Sequence, residues 1–348
     1  MELAKLHKRL LQGLLIWIIV MYGVILFFLY EELGSGKIKI AGITINTKQV
    51  LELVHSADKR LLLLVLFLVL FSCIVLNPMK MYALVRALGL ELSIKDIVLL
   101  YLSSLPIMNF SPGQRSASDA YISYMLYLYS NRKEGNKAVA YFLLDGTLTL
   151  ITMFIIILLL TSSFSIPLEL KGTWKLISCL LAVALLGIAA FLVFCQLYLS
   201  RKQFRNRLAR KLQELYQVYK TGLVRLALQP RYLIIVLSSM FLLYFTWYLE
   251  LFFLLEALHV KLTLGEIAVS EAAISLVLLL PTTPGDLGTL EAAQLLIYHC
   301  KLGIAIPVLV AFYLLYRLFV FLVPSTLGMA AYLWLYFRKI RPASSPAA

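Results

Sequence analysis

The sequence has few charged residues and lacks any long polar segment. Only 14% of its 348 residues are charged, whereas 61% are hydrophobic, and the mean hydropathy is +0.89. The longest polar segment, 200–231, is too short to fold as a catalytic domain of its own. A soluble enzyme is therefore excluded. The composition is typical of an all-α polytopic membrane protein, with a single membrane domain over 1–348.

Several chemical signatures are also missing. No Gly-x-x-x-x-Gly-Lys-Ser/Thr sequence occurs, so no ATP-driven motor is predicted. The cysteines and histidines are scattered without the spacing of a disulfide framework or a zinc site. We therefore expect no metal and no cofactor, and nothing indicates an enzyme. The residues concerned are Cys73, Cys179, Cys195, Cys300, His7, His55, His259 and His299.

The positive charge, +14 overall, lies where a membrane protein faces the cytoplasm. Segment 201–231 is strongly basic and contains a single acid, Glu214. Basic residues also lie near both termini, which predicts two cytoplasmic ends in the cell membrane. By contrast, 31–60 balances its charges and is predicted to be an external loop. This distribution explains the net charge without nucleic acid as a partner.

The apolar runs predict six full transmembrane helices and two re-entrant hairpins, which enter the membrane and turn back. Each full span needs about 20 apolar residues. Asn77-Pro78 ends the second run. The last run is longer than one bilayer, so it must tilt, kink at Pro324 or protrude. The predicted spans are 10–30, 61–77, 138–160, 174–199, 232–257 and 303–337, and the hairpins are 97–110 with 119–130 and 267–280 with 290–300.

The two hairpins are interrupted in the same way. Each has Leu-Pro, a short polar stretch, Pro-Gly and a later carboxylate, from Leu105 to Asp119 in the first hairpin and from Leu280 to Glu291 in the second. Such backbone is tolerated at membrane depth only where protein or a wet cavity surrounds it. Paired breaks in the two halves of a chain are typical of a transporter's central site, and would make the halves inverted repeats. Ordinary loops between short helices are the alternative.

Three smaller features are predicted outside the spans. Apolar residues from Phe204 to Leu226 recur at three-to-four spacing among basic ones, which predicts a cytoplasmic amphipathic helix over 201–229 at the membrane interface. Alternating residues predict a small external hairpin over 37–46 that turns at Ala41-Gly42. The end of the chain, 338–348, is predicted to be a short, basic, disordered tail.

The second break also carries a recognisable motif. It is Pro-x-Thr-Pro-Gly-x-x-Gly-x-x-Glu, here Pro281 to Glu291, followed by Leu-Tyr-Arg317 and then Leu-Gly328. With these residues the chain resembles the lysylphosphatidylglycerol synthase transmembrane, or flippase-like, family. The resemblance covers roughly 60–335, and the chain would be a stand-alone member without the synthase domain.

The first half of the chain departs from the family pattern. Members tend to show Pro-x-Arg-x-Gly-Glu with a following arginine, or a Gly-Gly-Asp variant, where this chain has Ser-Pro-Gly-Gln-Arg-Ser-Ala-Ser-Asp119. Asp286 stands where the family usually has a second glycine. Asp145-Gly146 occupies the place of an Asp-Arg pair, so the arginine of that pair is missing.

The resemblance implies a lipid flippase that moves a phospholipid or a polyprenyl-linked lipid between leaflets. The alternative is an accessory or membrane-embedded enzyme component of lipid-linked glycan or aminoacyl-lipid synthesis. Charged residues inside spans are rare and usually functional. Arginine forks could bind an anionic head group, or Arg317 could simply neutralise Glu291 or Asp286. We expect membrane lipids as partners, and a homo-oligomer is compatible with the sequence. The candidate lipid-pathway residues are Arg115, Asp119, Asp145, Glu271, Pro281, Pro284, Gly285, Asp286, Gly288, Glu291 and Arg317.

Overall fold

The described residues are helical apart from one small hairpin. The computed structural model describes residues 37–40, 43–111, 114–130, 134–163, 207–277, 284–286, 288–335 and 337, with a few positions between 179 and 190. The predicted spans 10–30 and 174–199 and the tail 338–348 lie outside the described residues. The predicted hairpin is confirmed: strands β1 (Lys37–Ile40) and β2 (Ile43–Asn46) pair antiparallel, with Ile40 opposite Ile43.

The described helices follow the hairpin in a simple order. Three of them, α2, α7 and α10, are long and apolar enough to cross a membrane. The helices are α1 (Thr47–Ser56), α2 (Lys59–Ala87), α3 (Ile94–Phe110), α4 (Gln114–Tyr129), α5 (Gly135–Ser163), α6 (Arg207–Leu228), α7 (Pro230–Ala257), α8 (Leu264–Val277), α9 (Thr289–Gln294, continued by the π-helical turn Leu295–His299) and α10 (Ile306–Leu335).

Helix α2 does not end at Asn77-Pro78, so the predicted end of the second span is wrong. A π-helical turn, Ser72–Leu76, comes directly before these residues, and the helix then continues to Ala87. The Asn77 side-chain Nδ2 donates to the Ser72 carbonyl at 3.1 Å. A wide turn of this kind accommodates a proline, which has no N–H for the usual helical hydrogen bond. Helix α10 uses the same device before Pro324, with a π-helical segment over Arg317–Leu322.

The order of elements occurs twice along the chain. An amphipathic helix, a long helix, a hairpin broken at Pro-Gly and a second long helix form repeat one, α1–α5, and repeat two, α6–α10. The joint after the first long helix shows the relationship in sequence: Ala87-Leu-Gly-Leu-Glu-Leu-Ser-Ile-Lys-Asp-Ile97 aligns with Ala257-Leu-His-Val-Lys-Leu-Thr-Leu-Gly-Glu-Ile267. We did not predict this alignment from the sequence.

The aligned joints have the same backbone conformation. Each long helix is followed by a left-handed residue, Gly89 with φ 70° and His259 with φ 63°, which is a common way to end a helix. The side chains of Ser93 and Thr263 then accept the backbone N–H three residues later and begin the next helix. Local geometry therefore supports the repeat independently of the residue types.

Each repeat supplies most of one hydrophobic core, and each core also includes residues of the other repeat. The core of repeat one joins the end of α2 to the start of α3, the end of α4 and the start of α5, and it includes Val236 and Met240 of α7. The core of repeat two joins the corresponding parts of α7 to α10, and it includes Val65 and Val69 of α2. The two amphipathic helices cross over, because α1 packs on α10 and α6 packs on α5. Tyr219 and Leu226 of α6 are buried in this way.

Candidate functional site

The two broken hairpins meet at Gly285. Its N–H donates to the carbonyl of Ser111 at 3.4 Å, across from the end of α3. Gly285 is buried and has φ 66°, and a Cβ placed there would collide with the Asn109 carbonyl and lie 2.8 Å from the Phe321 ring. Only glycine fits such a left-handed turn at this closeness. The two interrupted segments therefore come into contact at this turn.

Arg317 binds this turn from α10. Its Nε and Nη2 both donate to Glu291 Oε1, at 2.8 and 2.6 Å, and its Nη1 donates to the Gly285 carbonyl at 2.9 Å. A longer bond of 3.5 Å joins Nη2 to the Asp286 carbonyl. The guanidinium therefore closes the turn through one carboxylate and two backbone oxygens. Its ion-pair partner is Glu291, one of the two acids that the sequence suggested.

Glu291 is held in place by its own surroundings. Its Oε2 accepts the backbone N–H of Gly288 at 2.8 Å, at the start of α9. The hydroxyl of Tyr313 donates to the Glu291 carbonyl at 3.2 Å. A carboxylate in the first turn of a helix also interacts favourably with the helix dipole. Gly288 has φ 82°, so the bend that places this N–H again requires a left-handed residue.

The guanidinium group of Arg317 sits at the start of the π-helical segment of α10. It lies over the ring of Phe321, with 4.7 Å from Cζ to the ring centroid, which adds a cation–π attraction. The Arg317 side chain is 14% exposed and that of Glu291 is 24% exposed. The pair is thus largely desolvated but still open on one side. A π-helical turn inside a long helix frequently marks a functional site.

Asn109, which the sequence analysis missed, ties the first hairpin to the same segment. Its Nδ2 donates to the Phe321 carbonyl at 3.0 Å and to Ser325 Oγ at 2.8 Å. Close backbone approach makes this possible, since a Cβ on Gly328 would collide with the Leu102 carbonyl. A polar residue near the end of an apolar helix, facing another span, was the available signal.

Glu271 forms a second polar cluster within the same hairpin. It lies on α8, is 1% exposed, and its Oε1 accepts from the Tyr298 hydroxyl at 2.7 Å and from Gln294 Nε2 at 3.3 Å. Both partners belong to the returning arm of the hairpin, α9 and its π-helical turn. Glu271 therefore joins the two arms behind the tip that Arg317 holds.

Asp145 belongs to a different cluster. It pairs with Lys80 of α2, with 2.8 Å from Nζ to Oδ1, and both side chains are buried. Lys80 is therefore buried in the core of repeat one and not exposed to solvent. Lys80 supplies the positive charge that the missing arginine of the Asp145-Gly146 sequence would otherwise provide.

The remaining candidates are placed only in part. Asp119 and Asp286 are buried, and Pro284 begins the short 3-10 turn Pro284–Asp286. Arg115 lies in the first turn of α4, and its side chain lies outside the described part of the structure, as does all of Pro281.

Long apolar helices, with two interrupted segments in contact at Gly285, define a polytopic membrane protein with a buried polar site. The chain belongs to the lysylphosphatidylglycerol synthase TM region family, whose model matches residues 19–328. This confirms the family resemblance and makes the chain a multi-pass, lipid-related membrane protein. Comparison with curated proteins found no match.

Proposed function

We propose that the protein is a flippase, which moves an anionic lipid, a phospholipid or a polyprenyl-linked lipid, from one leaflet of the cell membrane to the other. The observation that carries the proposal is the position of Arg317. This cation lies where two broken hairpins from different halves of the chain meet, and its pair with Glu291 is open on one side. Such a place is typical of substrate sites in transporters with repeated halves.

A lipid phosphate can take the place of the Glu291 carboxylate. Nε and Nη2 of Arg317 converge on a single oxygen of Glu291, and the guanidinium fork suits a phosphate at least as well. Exchange of one anion for another keeps the arginine neutralised throughout, so no unpaired cation is left in the membrane. Glu291 binds Arg317 when no lipid is present, and the arriving head group displaces the carboxylate.

The backbone of the tip keeps the guanidinium aimed at the site during the exchange. The carbonyls of Gly285 and Asp286 accept from Nη1 and Nη2, and these bonds do not depend on Glu291. The neutralising role of Glu291 and the head-group role of Arg317 are therefore compatible. Glu291 neutralises Arg317 when the site is empty, and Arg317 binds the head group when the site is loaded.

The repeated architecture provides a route to both leaflets. In the six-span topology, α2 crosses inward and α7 crosses outward, so the two repeats have opposite orientations and their hairpins enter from opposite faces. Rocking of one repeat against the other around a shared tip would open the site alternately to each side. In this scheme, Gly285 and the hydrogen bonds of Asn109 form the contact around which the two repeats move.

The test is lipid translocation in proteoliposomes of purified protein. A fluorescent phosphatidylglycerol is followed by quenching from the outer leaflet, with Arg317→Ala compared to Arg210→Ala, an exposed arginine of α6. We expect translocation to be lost in Arg317→Ala and kept in Arg210→Ala, for protein shown to be folded and inserted. Wild-type rates in Arg317→Ala would refute the proposal and favour the accessory role in lipid-linked synthesis.

A further inference from the structure

The buried carboxyl of Glu271 has no cationic partner. In the part of the chain that the structure describes, no lysine, arginine or histidine forms an ion pair or hydrogen bond with it, and its recorded partners are neutral. By contrast, Asp145 and Glu291 each pair with a cation, and Glu250 of α7, which is also buried, accepts from the Ser72 hydroxyl. A buried carboxylate without a counter-charge is costly, so a site of this kind takes up a proton or another cation.

The partner of Glu271 is itself incompletely bonded. Gln294 is 1% exposed, and its Oε1 has no hydrogen-bond donor although its Nε2 donates to Glu271. An ionised carboxylate offers no donor, whereas a protonated carboxyl offers one O–H. Rotation of the amide group would place Oε1 to receive it. The unsatisfied oxygen thus indicates what the cluster lacks, which is a proton.

The surroundings of Glu271 contain other titratable groups, and none supplies a positive charge directly. Tyr248 of α7, Tyr298 of the turn after α9 and Tyr313 of α10 interact electrostatically with it. Ile156 of α5 packs near Ala268 of α8, and the part of α5 that follows Asp145, 146–163, contains no ionisable residue.

Tyr316 of α10 connects Glu271 to the rest of the charged groups. It interacts electrostatically with Glu271, Glu250, Arg317 and Glu291. The nearest cation in this network is Arg317, which is already bound to Glu291.

A single helix face links the cluster to the Arg317 site. Glu291, Gln294 and Tyr298 follow one another at helical spacing of three and four along α9 and its π-helical turn, and residues so spaced lie on one side of a helix. One end of this face binds Arg317 and the other binds Glu271. A change in charge at Glu271 therefore acts on the same short helix that carries Glu291.

We infer that Glu271, with Gln294 and Tyr298, is a proton-binding site, and that its occupancy controls how firmly the second hairpin holds the Arg317–Glu291 pair. One proton from the aqueous phase binds one carboxylate oxygen, and no other group is consumed. When Glu271 is ionised, it accepts hydrogen bonds from Tyr298 and Gln294, which hold the two arms of the hairpin together. When Glu271 is protonated, it donates a hydrogen bond to Gln294. The coupling to lipid movement rests on the proposed function, and the proton site itself does not.

Infrared spectroscopy tests the proton site without any transport measurement. Purified protein in nanodiscs is compared at several pH values, and the C=O absorption of protonated carboxyl groups is followed. One pH-dependent component of this absorption should be present in the wild type, absent in Glu271→Gln and retained in Glu250→Gln, which removes a second buried acid, on α7. In Tyr298→Phe, which lacks only the donor hydroxyl, the band should persist at a shifted frequency. The same pH-difference spectrum in wild type and Glu271→Gln would overturn the inference.

A pH gradient across proteoliposomes then tests the coupling. Wild-type lipid movement should change several-fold when the gradient is imposed, and the ratio with and without gradient should fall to about one in Glu271→Gln but not in Glu250→Gln. A ratio that falls to about one in Glu250→Gln alone would refute the coupling. So would wild-type lipid movement that does not change when the gradient is imposed. If neither the wild type nor the variants move lipid, the proposed function is refuted. The infrared band still decides whether Glu271 binds a proton.

Discussion

Lys80 and Glu250 occupy equivalent positions in the two repeats and carry opposite charges. The alignment of the joints, Ala87 with Ala257, places one on α2 and the other on α7 at the same distance from the helix end. The helices that they face are also equivalent, since Ala140-Tyr-Phe-Leu-Leu-Asp145-Gly aligns with Ala311-Phe-Tyr-Leu-Leu-Tyr316-Arg. Repeat one thus has an ion pair where repeat two has an acid and a tyrosine.

This difference assigns separate tasks to the two repeats. In repeat one the pair between Lys80 and Asp145 is closed within the core. In repeat two the cation lies on the second long helix instead, as Arg317, and it reaches the hairpin tip. Repeat one is therefore expected to stabilise the protein, and repeat two to bind the head group.

The first prediction concerns the stability of the Lys80–Asp145 pair. Removing either partner leaves an unpaired buried charge, so Lys80→Met and Asp145→Leu should each lower the free energy of unfolding by about 3–5 kcal/mol. The double variant should be more stable than either single variant, because no charge remains. Thermal unfolding in detergent measures this. Additive losses in the double variant would show that the two charges do not depend on each other.

The second prediction concerns the orientation of the repeats. Glu91 and Lys261 are exposed residues at equivalent positions of the two joints. If the repeats are inverted, Glu91→Cys should react with an impermeant thiol reagent only from the cytoplasmic side, and Lys261→Cys only from outside. Arg210→Cys on α6 provides a cytoplasmic reference. Reaction of both joint positions from the same side would contradict the inverted arrangement.

The sequence predicted the features that depend on local chemistry. Pro-Gly breaks, a strand alternation and an arginine within an apolar run are visible without a fold, and they led to the hairpin tips, the β-hairpin and the Arg317–Glu291 pair. The proline rule failed at Asn77-Pro78, because a π-helical turn compensates for the missing N–H. Such a turn depends on how neighbouring helices pack and leaves little trace in composition.

The features that the sequence did not predict depend on contacts between distant segments. The charge of Lys80 follows the positive-inside pattern, and only its proximity to Asp145 shows that it is buried. Asn109 and Gly328 act together across two helices, and neither is informative alone. The paired breaks indicated repeated halves, but the alignment between them escaped notice because the aligned residues share helix-ending and helix-starting roles more than identities.

The third prediction compares two glycines of the tip. Gly285 and Gly288 both have positive φ, at 66° and 82°, but a Cβ on Gly285 meets Asn109 and Phe321, whereas a Cβ on Gly288 meets nothing within 4 Å. Both alanine variants incur the backbone strain of about 1–2 kcal/mol, and only Gly285→Ala also pushes the two hairpins apart. Lipid movement should therefore fall much further in Gly285→Ala than in Gly288→Ala. Equal losses in the two folded variants would mean that contact between the hairpins is not required.

The last prediction separates the charge of Arg317 from its geometry. Arg317→Lys keeps one positive charge but has a single nitrogen in place of the planar fork, and it cannot bind Glu291 and the Gly285 carbonyl at the same time in the arginine's arrangement. Loss of one charge-assisted hydrogen bond costs about 1.5–3 kcal/mol. Arg317→Lys should therefore retain a small fraction of wild-type translocation, and Arg317→Ala should retain none. The measurement uses the same proteoliposome assay over a range of salt concentrations, because an electrostatic contribution at a partly exposed site weakens as salt rises. Full activity in Arg317→Lys would mean that charge alone recruits the head group. Equal, complete loss in both variants, with folding intact, would mean that the fork itself is indispensable and that a point charge cannot replace it.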